Sequence, residues 1–149
     1  MEKKEYPILV KVSSAECDTP GHEDNVMRMM MPGTLTRHPD GWLISYTEAL
    51  QEDDGHQVTH EVRVLAKNDR VTVLRKGPYG MMMVLQPDVP YQGTYHTPYG
   101  DMQMDVIATR VHTALAQGGG TIRMEYQLRV GGGEALVRRM SIEYKARAC

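Results

Sequence analysis

Apolar side chains recur at every second position along most of this chain, and no stretch keeps the 3.6-residue period of a helix. Period two is the signature of strands with one buried face and one wetted face. Ile8, Val10 and Val12 share a face in the first such run, Trp42, Ile44 and Tyr46 in another, and Val58, Val62 and Val64 in a third. Val71 and Val73 follow, then Met102, Met104, Val106 and Ala108. The last two runs are the clearest. Ile122, Met124, Tyr126, Leu128 and Val130 face one way while Arg123, Glu125, Gln127 and Arg129 face the other. Leu136, Met140, Ile142 and Tyr144 repeat the pattern against Arg139, Ser141, Glu143 and Lys145.

Turn residues separate the runs: His38-Pro-Asp-Gly41, Asp53-Asp-Gly55, Lys67-Asn-Asp69, Gly77-Pro-Tyr-Gly80, Thr97-Pro-Tyr-Gly100, Gly118-Gly-Gly120 and Gly131-Gly-Gly133. Proline presets φ for the second turn position and glycine accepts the positions with φ > 0. Many strands on short turns make an antiparallel meander, and one apolar face per strand closes such a sheet on itself so that no edge stays exposed. The expected fold is all-β, a single closed antiparallel barrel of about eight to ten strands. At 149 residues, with no linker or shift in composition, the chain reads as one domain spanning residues 1–149.

The interior such a barrel encloses is unusual in its filling. There is no Phe and one Trp, against eight Tyr and twelve Met, so flexible thioethers take space that rings usually fill. A net charge of −2 gives no footprint for nucleic acid or an anionic membrane. The start, Met-Glu-Lys-Lys-Glu-Tyr-Pro, has no apolar signal core, and no run is long enough to span a bilayer as a helix. Cys17 and Cys149 are far apart and form no disulfide framework, which fits a reduced pair in the cytoplasm.

Motifs for chemistry are sparse. Neither triple glycine precedes Lys-Ser/Thr or a helix, so both read as hairpin turns and not as phosphate loops. His56 and His60 have the spacing of a helical zinc pair, but four residues of strand span about 13 Å, too far for one metal. His22, His38, His96 and His112 are scattered, no serine sits in a Gly-x-Ser-x-Gly elbow, and Glu23-Asp24 and Glu52-Asp53-Asp54 read as solvated loops. Pro-Tyr-Gly occurs twice, at residues 78–80 and 98–100, with Tyr91, Tyr95 and Tyr99 around the second copy. No basic residues interleave these tyrosines as a single-stranded nucleic-acid platform requires, so they read as the closure of a barrel end.

The segment Tyr95-His-Thr-Pro-Tyr-Gly100, with Arg75-Lys-Gly77 before it, Thr109 in the next strand and Gly120-Thr-Ile-Arg-Met-Glu-Tyr126 after it, resembles the YwiB-like family. These are small bacterial proteins of unknown function grouped with the calycin-like, lipocalin-type barrels. The resemblance runs from the strand after Tyr6 to the one ending near Lys145, and it departs in methionine richness and in the lack of phenylalanine. It implies a closed antiparallel barrel and no activity.

Three functional classes follow. The first is a binding module for a small apolar or amphiphilic ligand. The second is an interaction or regulatory protein with a filled interior, and an enzyme ranks last because no nucleophile, base or metal cluster stands out. No metal or organic cofactor is called for. Alternation carries His60, Arg75 and Arg138 to the inward phase, and Asp105, Glu125 and Glu143 to the outward phase. A buried guanidinium needs an anion or a hydrogen-bond network. A barrel without an inner carboxylate would let these arginines receive the acid group of a ligand, with Tyr95, Tyr126 and Tyr144 completing the site. Against this, Arg75 at a strand end reaches solvent, and a bulge turns Arg138 outward.

Overall fold

Ten strands form, seven of them where the sequence alternates and most ended by the turn residues above. They are β1 (Glu5–Thr19), β2 (His22–His38), β3 (Gly41–Gln51), β4 (Gln57–Lys67), β5 (Arg70–Lys76), β6 (Met81–Leu85), β7 (Tyr91–Thr97), β8 (Gly100–Leu115), β9 (Gly119–Val130) and β10 (Leu136–Ala146). The computed structural model describes residues 4–19, 22–39, 41–51 and 54–147. Cys149, the first three residues, and Glu52 and Asp53 therefore lie outside the described residues, as do the side chains of His22, Glu23 and Asp24. Among the described residues no helix is long and apolar enough to cross a membrane.

All ten strands join one antiparallel sheet in the order β6-β5-β4-β3-β2-β1-β10-β9-β8-β7. Sequence neighbours pair throughout, β1 also pairs with β10, and only β6 and β7 lack a ladder between them. At that seam the His96 amide of β7 donates to the Gly80 carbonyl at 2.8 Å, while the Asp88 amide of the β6–β7 connection donates to the Ala108 carbonyl of β8 at 2.9 Å. Pro87 and Pro90, which have no N–H to offer a ladder, flank the connection. The barrel is nearly closed, as the alternation implies.

Because successive strands run in opposite directions, the C-terminal ends of β1, β3, β5, β7 and β9 share one end of the barrel, here the top. Between them the inward faces build one hydrophobic core that includes Ile8, Val10, Leu35, Ile44, Val64, Val73, Met83, Leu85, Met104, Ile122 and Ile142. Trp42, Leu128 and Met140 are half-buried against it, with the Arg37 guanidinium 4.9 Å over the Trp42 ring. Met102 and Leu136 depart from expectation. Both share an inward phase, yet they are 40% and 44% exposed, because alternation gives the face of a strand and not its depth along the barrel. Of the two triple glycines, Gly131 and Gly132 turn a hairpin with φ of 64° and 74°. At the other, Gly118 lies in the β8–β9 turn, which the Ala116 amide closes on the Gly119 carbonyl at 3.1 Å, and Gly119 and Gly120 already belong to β9.

One irregularity matters for the site. β2 runs beside β1 along most of its length but pairs with β3 only over Gly33–His38. Above that, residues 22–32 of β2 and 47–51 of β3 part, so the wall forks toward the top. The fork starts at Gly33. A Cβ there would stand 2.5 Å from the Ser45 carbonyl oxygen and 2.9 Å from a Val10 methyl, so only glycine lets three strands converge.

Candidate functional site

The inward face of β3 carries Tyr46 and then Glu48, and the registers Tyr46↔Val62 and Glu48↔His60 place His60 of β4 opposite Glu48. Arg75 of β5 stands beside Val62. Three polar side chains thus meet inside the upper barrel on adjacent strands. Glu48 and His60 are almost wholly buried, and the Arg75 side chain is 21% exposed. Glu48 Oε1 is 3.4 Å from His60 Nδ1 and 3.7 Å from Arg75 Nε. Neither contact has hydrogen-bond geometry, and Glu48 Oε1, His60 Nδ1, Arg75 Nε and Arg138 Nε are all buried without a hydrogen-bond partner among the described residues.

The first Pro-Tyr-Gly turn holds His60 in place. The Tyr79 amide donates to His60 Nε2 at 3.2 Å, and the two rings lie 6.1 Å apart at a tilt of 58°. An amide can only donate, so Nε2 is the lone-pair nitrogen and the neutral ring carries its proton on Nδ1, toward Glu48. Gly77 has φ of +150°, and a Cβ on it would come within 2.5 Å of His60 Cδ2. Burial lowers the His60 pKa from its ordinary value, the Arg75 charge lowers it further, and Glu48 opposes both. Burial likewise raises the Tyr46 hydroxyl far above its usual range, with Glu48 adding to the rise.

Arg138 of β10 is flanked by Tyr126 of β9 and Glu16 of β1 in register. Its buried Nε puts it on the inward phase, and the bulges fall elsewhere, at Ser14/Glu16, Cys17/Thr19 and Ala108/Arg110. Burial raises the Tyr126 hydroxyl above its ordinary value, and the charges of Arg138 and Arg75 oppose the rise. Methionines fill the space around. Met81 is the register partner of Arg75, Met83 that of Val73, and Met124 that of Met140; Met81, Met83, Met104 and Met124 are buried.

The model for a domain of unknown function, DUF1934, matches residues 10–142. The chain belongs to this family. A crystal structure of the ywiB protein from Bacillus subtilis is similar to it with a TM-score of 0.79 and 22% identity, covering 98% of this chain and 96% of that one. No curated protein matches. The resemblance carried by the Thr-Pro-Tyr-Gly segment is borne out, and the likeness to the solved structure extends to the fold.

Within this DUF1934 domain the structure groups His60 with Arg75 around Glu48, and sets Tyr126 beside Arg138 on β9 and β10. Tyr144 lies apart, six residues along β10 from Arg138. Its hydroxyl donates to the Ala116 carbonyl at 2.6 Å and accepts from the Ala116 amide at 3.2 Å, which satisfies it at the bottom of the barrel. Tyr95 is half-buried at the top, packed against the core and paired with Met102. Of the three tyrosines around the second Pro-Tyr-Gly turn, Tyr91 and Tyr95 pack against the core and Tyr99, 93% exposed, does not. The expectation of a barrel without an inner carboxylate is also corrected: Glu48 is 4% exposed and faces Arg75. Its signal was in the sequence, two residues beyond Tyr46 on the same phase. Neither expected escape occurs in full, since Arg75 is only partly at solvent and Arg138 stays inward. Among the described residues no three His, Cys, Asp or Glu side chains cluster to hold a metal, and His56, paired with Asp54, stands exposed away from His60.

Proposed function

We propose that this barrel is a binding module that takes the polar head of a small amphiphile into its upper interior, against Glu48, His60, Arg75 and Arg138. The carrying observation is the set of buried polar atoms there that lack hydrogen bonds. Each such atom costs about 1–3 kcal/mol, which a head group with both a donor and an acceptor would recover at Glu48 Oε1 and the two arginine Nε atoms. The fork between β2 and β3 supports a route in, and methionines are the side chains best able to repack around a tail. In the reducing cytoplasm Cys17 would play no part in this.

Glu48 beside Arg75, and Glu16 in register with Arg138, argue for a neutral head rather than an acid. A ligand carboxylate would meet a buried like charge. Titration calorimetry with monodecanoylglycerol and with decanoate tests this. The neutral ester is expected to bind more tightly, and Glu48→Gln or Arg75→Met to weaken it about tenfold. Binding of neither compound, or equal binding in parent and both variants, overturns the reading. A second reading, an interaction protein with a filled barrel, is favoured by the rest of the interior, where Ile8, Leu35, Ile44, Leu85, Ile122 and Ile142 are fully buried. It is the one that survives if no amphiphile binds.

A further inference from the structure

The outward face holds a second constellation, unrelated to the interior. Strand register lines up Arg28 of β2, Ser13 of β1, Ser141 of β10, Arg123 of β9 and His112 of β8 in one row across five strands. The adjacent row holds Ala15, Arg139, Glu125 and Arg110. Small side chains on β1 and β10 leave a depression between longer ones, and these residues line a cleft of about 530 Å³. Serine hydroxyls and Ala15 occupy the middle, and arginines stand on both sides.

The charge is one-sided. Arg139 Nε bonds Glu125 at 3.0 Å, and Glu16 is next to Ala15 on the β1 flank. For Arg28, Arg110 and Arg123, no carboxylate among the described residues lies within ion-pair distance. Three guanidinium groups converge on one concave wall although the chain as a whole is slightly acidic. A concave wall with this much unbalanced positive charge favours an anion that joins it.

We propose that this cleft binds a small molecule bearing two or more phosphoryl groups. Guanidinium forks match phosphoryl oxygens two at a time, and Ser13 and Ser141 add hydroxyl donors at the centre. Several charges are needed to balance three arginines, which a single carboxylate does not supply. No Tyr or Trp lines the cleft, where the one ring is the imidazole of His112, so the arginines recognise the phosphoryl chain rather than a base. The row of arginines crosses the strands and ends within the cleft, which suits a compact ligand better than a nucleic-acid backbone.

The test is calorimetric titration of the full chain with inorganic tripolyphosphate at physiological salt, beside a nucleoside triphosphate and a single-stranded RNA oligomer. Saturable binding of one tripolyphosphate is expected, with the nucleotide no tighter. Arg123→Gln and Arg28→Gln are each expected to weaken it about tenfold. Ser141→Leu should abolish binding by filling the depression without removing a charge, whereas Arg63→Gln on β4, outside the cleft, should change nothing. Thermal unfolding of each variant confirms that it is folded. Absence of saturable binding, equal weakening by Arg63→Gln, full binding by a folded Ser141→Leu, or tenfold tighter binding of the RNA would each overturn the proposal.

Discussion

At the scale of single residues, His60 shows how environment sets chemistry. The ring is buried, accepts a hydrogen bond on Nε2 and faces Arg75, so its proton affinity in the folded state is below the ordinary value of 6.5. The unfolded chain then binds more protons than the folded one at mildly acid pH. Stability is therefore full above the unfolded pKa and is lost as pH falls below about 6.5 toward the lower folded pKa, at a slope of at most about 1.4 kcal/mol per pH unit. Urea unfolding at pH 7.5 and pH 5.5 is expected to give a lower midpoint in acid. His60→Gln should be less stable than the parent at pH 7.5, with a smaller drop between the two pH values. Identical drops in parent and variant would show that His60 does not carry the effect. The phase of this residue was legible from Val62 and Val64; its partner was legible too, but only by carrying the Trp42–Tyr46 alternation one step further to Glu48.

At the scale of elements, seven of the ten strands were readable, while β2, β6, β7 and the fork were not. Period two fixes which side chains share a face, and every run that the sequence offers became a strand. It does not say where two strands stop pairing, because β2 keeps its bonds to β1 while losing β3, and β2 looks locally the same on either side of Gly33. What limits the fork is the close approach at Gly33. Gly33→Ala forces a Cβ against the Ser45 carbonyl, which is backbone and cannot swing aside, so a loss of about 1–3 kcal/mol is expected. Gly118→Ala, where an added Cβ meets nothing within 4 Å, serves as the control. Hydrogen exchange should also find alternate amides of residues 26–32 less protected than those of residues 41–46, and faster exchange spreading into residues 33–38 of the Gly33→Ala variant. Uniform protection along β2 would mean that the two strands stay joined to the top. The outer cleft lay beyond sequence reading for a related reason: it needs the lateral register of five strands, two of them, β1 and β10, from opposite ends of the chain.

At the scale of the whole molecule, the methionines report on five of the ten strands at once. The chain has twelve, and the sheet divides them by face and by depth along the barrel. Met81, Met83, Met104 and Met124 point inward and are at most 9% exposed; Met27, Met30, Met82 and Met102 are 40% exposed or more. Peroxide attacks a thioether in proportion to its access, and the sulfoxide is polar, so it is tolerated outside and disruptive within. Mild oxidation followed by peptide mass spectrometry should therefore modify Met27, Met30, Met82 and Met102 first, with little change in unfolding temperature. The inward four should react only as the barrel opens. The run Met81-Met82-Met83 is the sharpest part of the experiment, since three identical side chains in one short strand differ only in the face they present. A slip of β6 by one residue against β5 would expose Met81 and Met83 and bury Met82. Because Met81 is the register partner of Arg75, such a slip would also place Met82 beside the polar cluster. Preferential oxidation of Met81 and Met83 would thus refute the register of β6 and the lining of the interior site together, whereas selective oxidation of Met82 supports both.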